Sequence, residues 1–149
     1  MENRPLLPLA DEKPVVRSDA ARNRELLLET AERMIKQCGV ESLTMDALAA
    51  AAGVGKGTVF RRFTSREGLM AALLDHTEAA AQAAVLFGPP PLGPGAEPWD
   101  RLVAFGRSRI DLALDHAELI RAAGVMATRS YSAFSFVAMH VRYLFGELG

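Results

Sequence analysis

The sequence predicts an all-α protein, and three observations carry that prediction. No segment alternates apolar and polar residues with the period of two that marks a half-buried strand. Several segments instead repeat apolar residues at helical spacing, and Gly or Pro punctuates them where each stripe ends. The chain has 149 residues, 50% of them hydrophobic, which is enough to bury a core and excludes wholesale disorder.

The elements follow in order. Residues 1–16 mix Pro5, Pro8 and Pro14 with scattered charges and predict a flexible tail. A first helix is expected from about Ala20 to Cys38. Leu27, Ala31, Met34 and Ile35 share one of its faces, and Gly39 provides a left-handed stop. Thr44 is placed to cap a second helix, Met45–Ala52, with Asp46 favouring its positive end. This helix is nearly all alanine, so a neighbour can approach its axis closely. Gly53 then reads as a left-handed residue, and Val54 returns to the core. A third short helix, Lys56–Phe63, turns Val59 and Phe63 inward. Thr64-Ser-Arg-Glu67 reads as a capping box that opens a fourth helix through Leu69, Leu73 and Leu74. The stretch 87–98 holds five prolines and three glycines and breaks the helical pattern. Beyond it, one long helix is expected from Trp99 to about Gly124, and another from Ser132 to Leu148. The predicted organisation is a tail (1–16), a head (17–66) and a helical body (67–149).

Net charge is −1, which argues superficially against a nucleic-acid partner. The distribution argues otherwise. Residues 1–66 carry 11 Lys and Arg against 9 Asp and Glu, whereas residues 67–149 carry 6 against 9. From Gly53 to Arg66 there are four cations (Lys56, Arg61, Arg62, Arg66) and no acid. Charge acts locally, so this stretch outweighs the total. The single cysteine, Cys38, reads as a small core residue and allows no internal disulfide, which points to a reducing cytoplasm. No run approaches a membrane span, and the N-terminus lacks the apolar run of a signal peptide.

Two short helices joined by a Gly-containing turn and buttressed by a preceding helix define a helix-turn-helix. Its second member offers an exposed face to a DNA major groove while neighbouring groups hold phosphates. Here the cations fall on and just after that second member.

The run Thr44-Met-Asp-Ala-Leu-Ala-Ala-Ala-Ala-Gly-Val-Gly-Lys-Gly-Thr-Val-Phe-Arg-Arg-Phe-Thr-Ser-Arg-Glu-Gly-Leu69 resembles the DNA-binding signature of the tetracycline-repressor (TetR) family. The resemblance begins near Leu27. It implies a three-helix reading head, a fourth linking helix and a helical body that binds a small-molecule effector. It also implies a homodimeric, ligand-responsive repressor of double-stranded operator DNA in a bacterial cytoplasm, at the nucleoid, with no catalytic activity and no cofactor. Carried over by position, Thr44 caps its helix and meets a phosphate. Lys56, Gly57, Thr58 and Phe60 lie against DNA, and Arg61, Arg62 and Arg66 add positive charge. Arg62 stands where the family often has His, and Arg66 where it usually has Lys. Phe60 stands where Tyr is common, without the hydroxyl, and Gly55 where Ser often caps. Arg17, Arg22 and Arg24 either form an arm that reaches a minor groove or begin a solvated helix.

In the body, Phe105, Arg109, Met126, Tyr131 and His140 are candidates to line an effector pocket, Arg109 or His140 giving the polar contact; a plain packed core fits the same residues. The chain ends at Gly149, short of two dimerisation helices that the resemblance implies, so the body reads as truncated. That leaves two alternatives to a repressor: an interaction module forming mixed dimers with a full-length paralogue, or a helical small-molecule-binding protein without DNA binding. Other chemistry finds little support. Gly53-Val-Gly-Lys-Gly-Thr58 imitates a phosphate loop, but the required glycine position is Ala50 and no strand precedes it. His76, His116 and His140 form no i, i+4 pair, so no metal site is expected. Ser130 and Ser132 have no adjacent base.

Overall fold

The structure is a computed structural model that describes residues 14–124 and 131–149, with side chains from Asp19 to Gly124 and from Ser135 onward. Among the described residues there is no strand. The elements are α1 (Pro14–Cys38), a 3-10 turn (Val40–Ser42), α2 (Met45–Ala52), α3 (Lys56–Phe63), α4 (Arg66–Phe87), α5 (Pro98–Asp115), α6 (Ala117–Ala123) and α7 (Tyr131–Leu148).

The first helix starts six residues earlier than the apolar stripe indicates. Pro14 opens it, at a position where a missing N–H removes no helical bond. Arg17, Arg22 and Arg24 therefore stand on a helix rather than on an arm. The second correction concerns the body, where the expected single helix divides at His116. That residue has φ −109° and ψ 11°, caps α5 and opens α6, and neither Gly nor Pro announces it. The break turns Leu119 and Ala123, one helical turn apart, onto the head.

Leu27, Leu28 and Ala31 of α1, Leu43, Leu48 of α2, Val59 and Phe63 of α3, and Leu69, Met70 and Leu73 of α4 form one buried cluster. Each fully buried aliphatic side chain contributes about 1.5–3 kcal/mol relative to exposure. Leu119 and Ala123 belong to the same cluster, so the core of the head continues past residue 66 through α4 into α6. A second, smaller core joins Val85 of α4, Phe105 of α5 and Phe136 of α7. An ion pair links the same layers, with the Arg109 guanidinium donating to both Glu78 oxygens at 3.1 and 2.8 Å.

Candidate nucleic-acid interface

The geometry of the reading pair begins with its caps. Thr44 is extended, and its hydroxyl accepts from the Ala47 N–H at 3.1 Å, which fixes where α2 starts. At the other end Gly53 adopts φ 67° and ψ 30°, the left-handed conformation that closes a helix, and the Val54 N–H returns to the Ala49 carbonyl. Two residues later Gly55 starts α3 with no side-chain cap. The α2–α3 angle is held by burial of Leu48, Ala49 and Val59 between the two helices.

Val59 and Phe63 are both buried, so the opposite side of α3 faces solvent. At about 100° per residue, Gly57 and Arg61 stand opposite that buried pair, with Phe60 and Arg62 on the flanks. Gly57, Phe60, Arg61 and Arg62 are exposed and Thr58 is half-buried. Among the described residues no ion pair holds Arg61 or Arg62; the Arg61 guanidinium only grazes the Thr58 hydroxyl at 3.4 Å. Lys56 is different. In the first turn of α3 it faces α2, and its Nζ donates to Asp46 Oδ2 at 2.7 Å. The stretch that lacks acids in sequence thus meets one in space.

The expectation for Arg66 changes most. It is the first residue of α4, and its Nε and Nη2 donate to the carbonyls of Leu43 and Val40 at 3.0 and 2.9 Å. Glu41 lies 3.6 Å from the same guanidinium. Arg66 therefore fastens the 3-10 turn and the entry to α2 onto α4, and its fork is engaged inside the head rather than presented to an external phosphate. The cap of α4 also moves by one residue: Ser65, not Thr64, accepts from the Gly68 N–H. Thr64 ends α3 with a positive φ of 65°. A side chain at Gly68 would fall on the Phe63 carbonyl, so glycine there lets α3 and α4 meet closely.

The remaining expected residues scatter. Arg22 pairs with Asp19 at 3.6 Å on the exposed surface of α1, while the side chain of Arg17 lies outside the described residues. Cys38 is exposed at the end of α1 rather than in the core. Of the five pocket candidates, Met126 and the Tyr131 side chain lie outside the described residues. Phe105 and His140 do meet, edge to face with centroids 4.7 Å apart, and Phe136 stacks on the same imidazole at 5.8 Å. Arg109 turns away to Glu78. A cavity lies elsewhere, between α1, α4, the end of α5 and α6, and sequence spacing did not indicate it because its walls come from separate helices.

Two short helices set at a glycine turn on a shared apolar core, with one basic outer face, define a helix-turn-helix head. The family described as bacterial regulatory proteins, tetR family, has a model that matches residues 27–73, the span from α1 into α4. The N-terminal unit of this chain is thus similar to that family over this span. HTH-type transcriptional regulators of Staphylococcus aureus, from strains USA300 and N315 among others, are 35% identical to this chain over 54 residues. That similarity covers 36% of this chain and 29% of each relative, so the chain spans less than a third of their length.

Proposed function

We propose that the chain is a DNA-binding transcriptional regulator, a repressor that reads operator DNA with α3 and is released by a small-molecule effector. The observation that carries this reading is the outer face of α3. Arg61 and Arg62 lie there without ion-pair partners among the described residues, beside Gly57, a glycine to which those residues give no steric reason: a Cβ at that position meets none of them within 4 Å. A mid-helix glycine costs about 0.5–1 kcal/mol relative to alanine, and close approach of a partner's backbone accounts for its presence. In this reading Gly57, Thr58, Phe60 and Arg61 meet the major groove. Thr44, Lys56 and Arg62 meet phosphates, and Arg66 contributes by holding the head in shape. Arg17 and Arg22, on α1, contribute positive field rather than an inserted arm.

Paired heads reading half-sites one turn apart share affinity, so the regulator acts as a homodimer. Support comes from the outer side of the body, where Trp99, Ile110, Leu114, Met139 and Phe145 are each between 58 and 70% exposed. Such large exposed apolar side chains suit a second copy, and the same side chains would serve a mixed dimer with a paralogue. The working compartment is the bacterial cytoplasm at the nucleoid; among the described residues no helix is long and apolar enough to cross a membrane.

Retention of the chain's own promoter duplex, followed across a salt series, tests the reading. Binding should weaken with a slope near −0.9 in log K against log salt for each phosphate neutralised. Salt-insensitive or undetectable retention refutes it and favours a protein-interaction role, which sedimentation with and without the paralogue then reveals.

A further inference from the structure

A cavity of about 590 Å3 lies where the head meets the body, in the size range of sites that hold drug-sized molecules. Its walls come from α1, α4, the end of α5, α6 and one turn. Ile35 of α1, Leu73 of α4 and Leu119 of α6 give it apolar surface, and Glu32, Asp115 and Glu118 give it three carboxylates. Among the described residues Lys36 is the one lysine or arginine on the lining, so with neutral histidines these walls carry a negative balance. His76 does not reverse it, since its Nε2 lies 3.7 Å from Glu25 and 3.8 Å from Glu32. The carboxylates stand apart: among the described residues no three acidic, His or Cys side chains converge as metal ligands do. Acid on separate walls around an apolar centre suits an extended molecule with a positively charged end.

We infer that this cavity binds an amphipathic organic cation, an ammonium or amidinium group on an apolar body, and that its occupancy is what the DNA-binding head senses. The regulatory half of the inference rests on the function proposed above; binding itself does not. The location explains the coupling. α1 and Val40 belong to the head, whereas Asp115, Glu118 and Leu119 belong to the body, and the ligand touches both. Val40 also accepts from Arg66 and begins the 3-10 turn that leads to α2, so displacement of this wall reaches the reading pair within one turn of chain. A ligand that prefers one spacing of α1 and α6 shifts the head toward that spacing, by as much as it discriminates between the two. The pocket expected around Phe105, Arg109 and His140 is a different place, at the other core.

The test uses the full chain without DNA, with protonated 4-phenylbutylamine as the probe and 5-phenylpentanoate as its anionic match in shape. Calorimetry should show saturable binding of the amine and none of the carboxylate. Because Asp115 and Glu118 are exposed, D115N and E118Q together should weaken amine binding only about fivefold, and added salt should weaken it further. Lys36→Met should tighten it. Ala80→Trp, which narrows the exposed lip of the cavity, should abolish it while helical circular dichroism is unchanged. Equal binding of the carboxylate, indifference to the double substitution, weaker binding in Lys36→Met, or no heat with millimolar amine overturns the site. Amine binding that leaves duplex affinity unchanged removes its regulatory role alone. Absence of duplex binding in the untreated chain instead refutes the function proposed above and leaves the calorimetric result standing.

Discussion

Lys56 Nζ and Asp46 Oδ2 lie 2.7 Å apart across the α2–α3 angle, with both side chains more than half exposed. An exposed pair of this kind contributes about 0–1 kcal/mol, so its main effect is not on stability. It places the lysine. A phosphate offers the same ammonium a competing acceptor, and Asp46 must release it for that contact to form.

Asp46→Asn is therefore expected to tighten duplex binding at low salt, although α2 loses about 0.3–1 kcal/mol of favourable charge at its N-terminus. Lys56→Ala is expected to weaken duplex binding and to reduce the magnitude of the salt slope by about 0.9. Fluorescence anisotropy across a salt series measures both. An unchanged slope in Lys56→Ala shows that this side chain meets no phosphate.

Arg66 makes a different prediction from the other cations. Its two donors satisfy carbonyls from separate positions of the α1–α2 connection, so Arg66→Ala deprives the Leu43 carbonyl of its guanidinium donor and leaves the Val40 carbonyl to the Leu43 N–H. The expected cost is about 1–3 kcal/mol of head stability. Arg66→Lys should recover only part of it, because an ammonium cannot span both carbonyls with a rigid fork. Denaturant midpoints check this. If Arg66→Ala melts with the parent but loses salt-dependent retention, the residue is a phosphate contact after all.

These cases show what was legible before the fold was known. Thr44, Gly53 and the apolar pair Val59 and Phe63 act on neighbours within one helical turn, and the boundaries of α2 and α3 fall at the expected residues. The charge pattern of α3 was legible for the same reason. The internal role of Arg66 was not legible because its acceptors are backbone carbonyls 23 and 26 residues away, which no side-chain pattern announces. Asp46 and Glu78 were likewise invisible as partners of Lys56 and Arg109, at separations of 10 and 31 residues. The division of the body at His116 arises because Leu119 must reach the head core, a tertiary demand that overrides an otherwise continuous helical pattern.

Gly57→Ala separates fold from function most cleanly. Nothing among the described residues obstructs the added methyl, and α3 gains a better helix former. The substitution should raise head stability by about 0.5–1 kcal/mol and weaken duplex binding if a DNA backbone approaches that point. Paired measurement of thermal midpoint and duplex affinity decides it. A stabilised variant with unchanged affinity places the DNA elsewhere.

The second core carries a pH dependence of its own. His140 is buried between Phe105 and Phe136, and its Nε2 has no hydrogen-bond partner among the described residues. Burial, helped by the charge of Arg101, holds its pKa below the ordinary 6.5. The folded protein thus binds this proton less readily than the unfolded chain does. Stability is full above pH 6.5 and declines as pH falls from there through the folded-state pKa. Glu67 acts in a lower window: its own backbone N–H and the Ser65 hydroxyl favour the carboxylate and lower its pKa from 4.5, so its contribution is lost only at more acid pH. His140→Phe keeps a ring between Phe105 and Phe136 and removes the titration. Thermal midpoints across the pH range should lose their upper decline in this variant and retain the lower one. An unaltered profile would mean that His140 is protonated in the fold at the same pH as in the open chain.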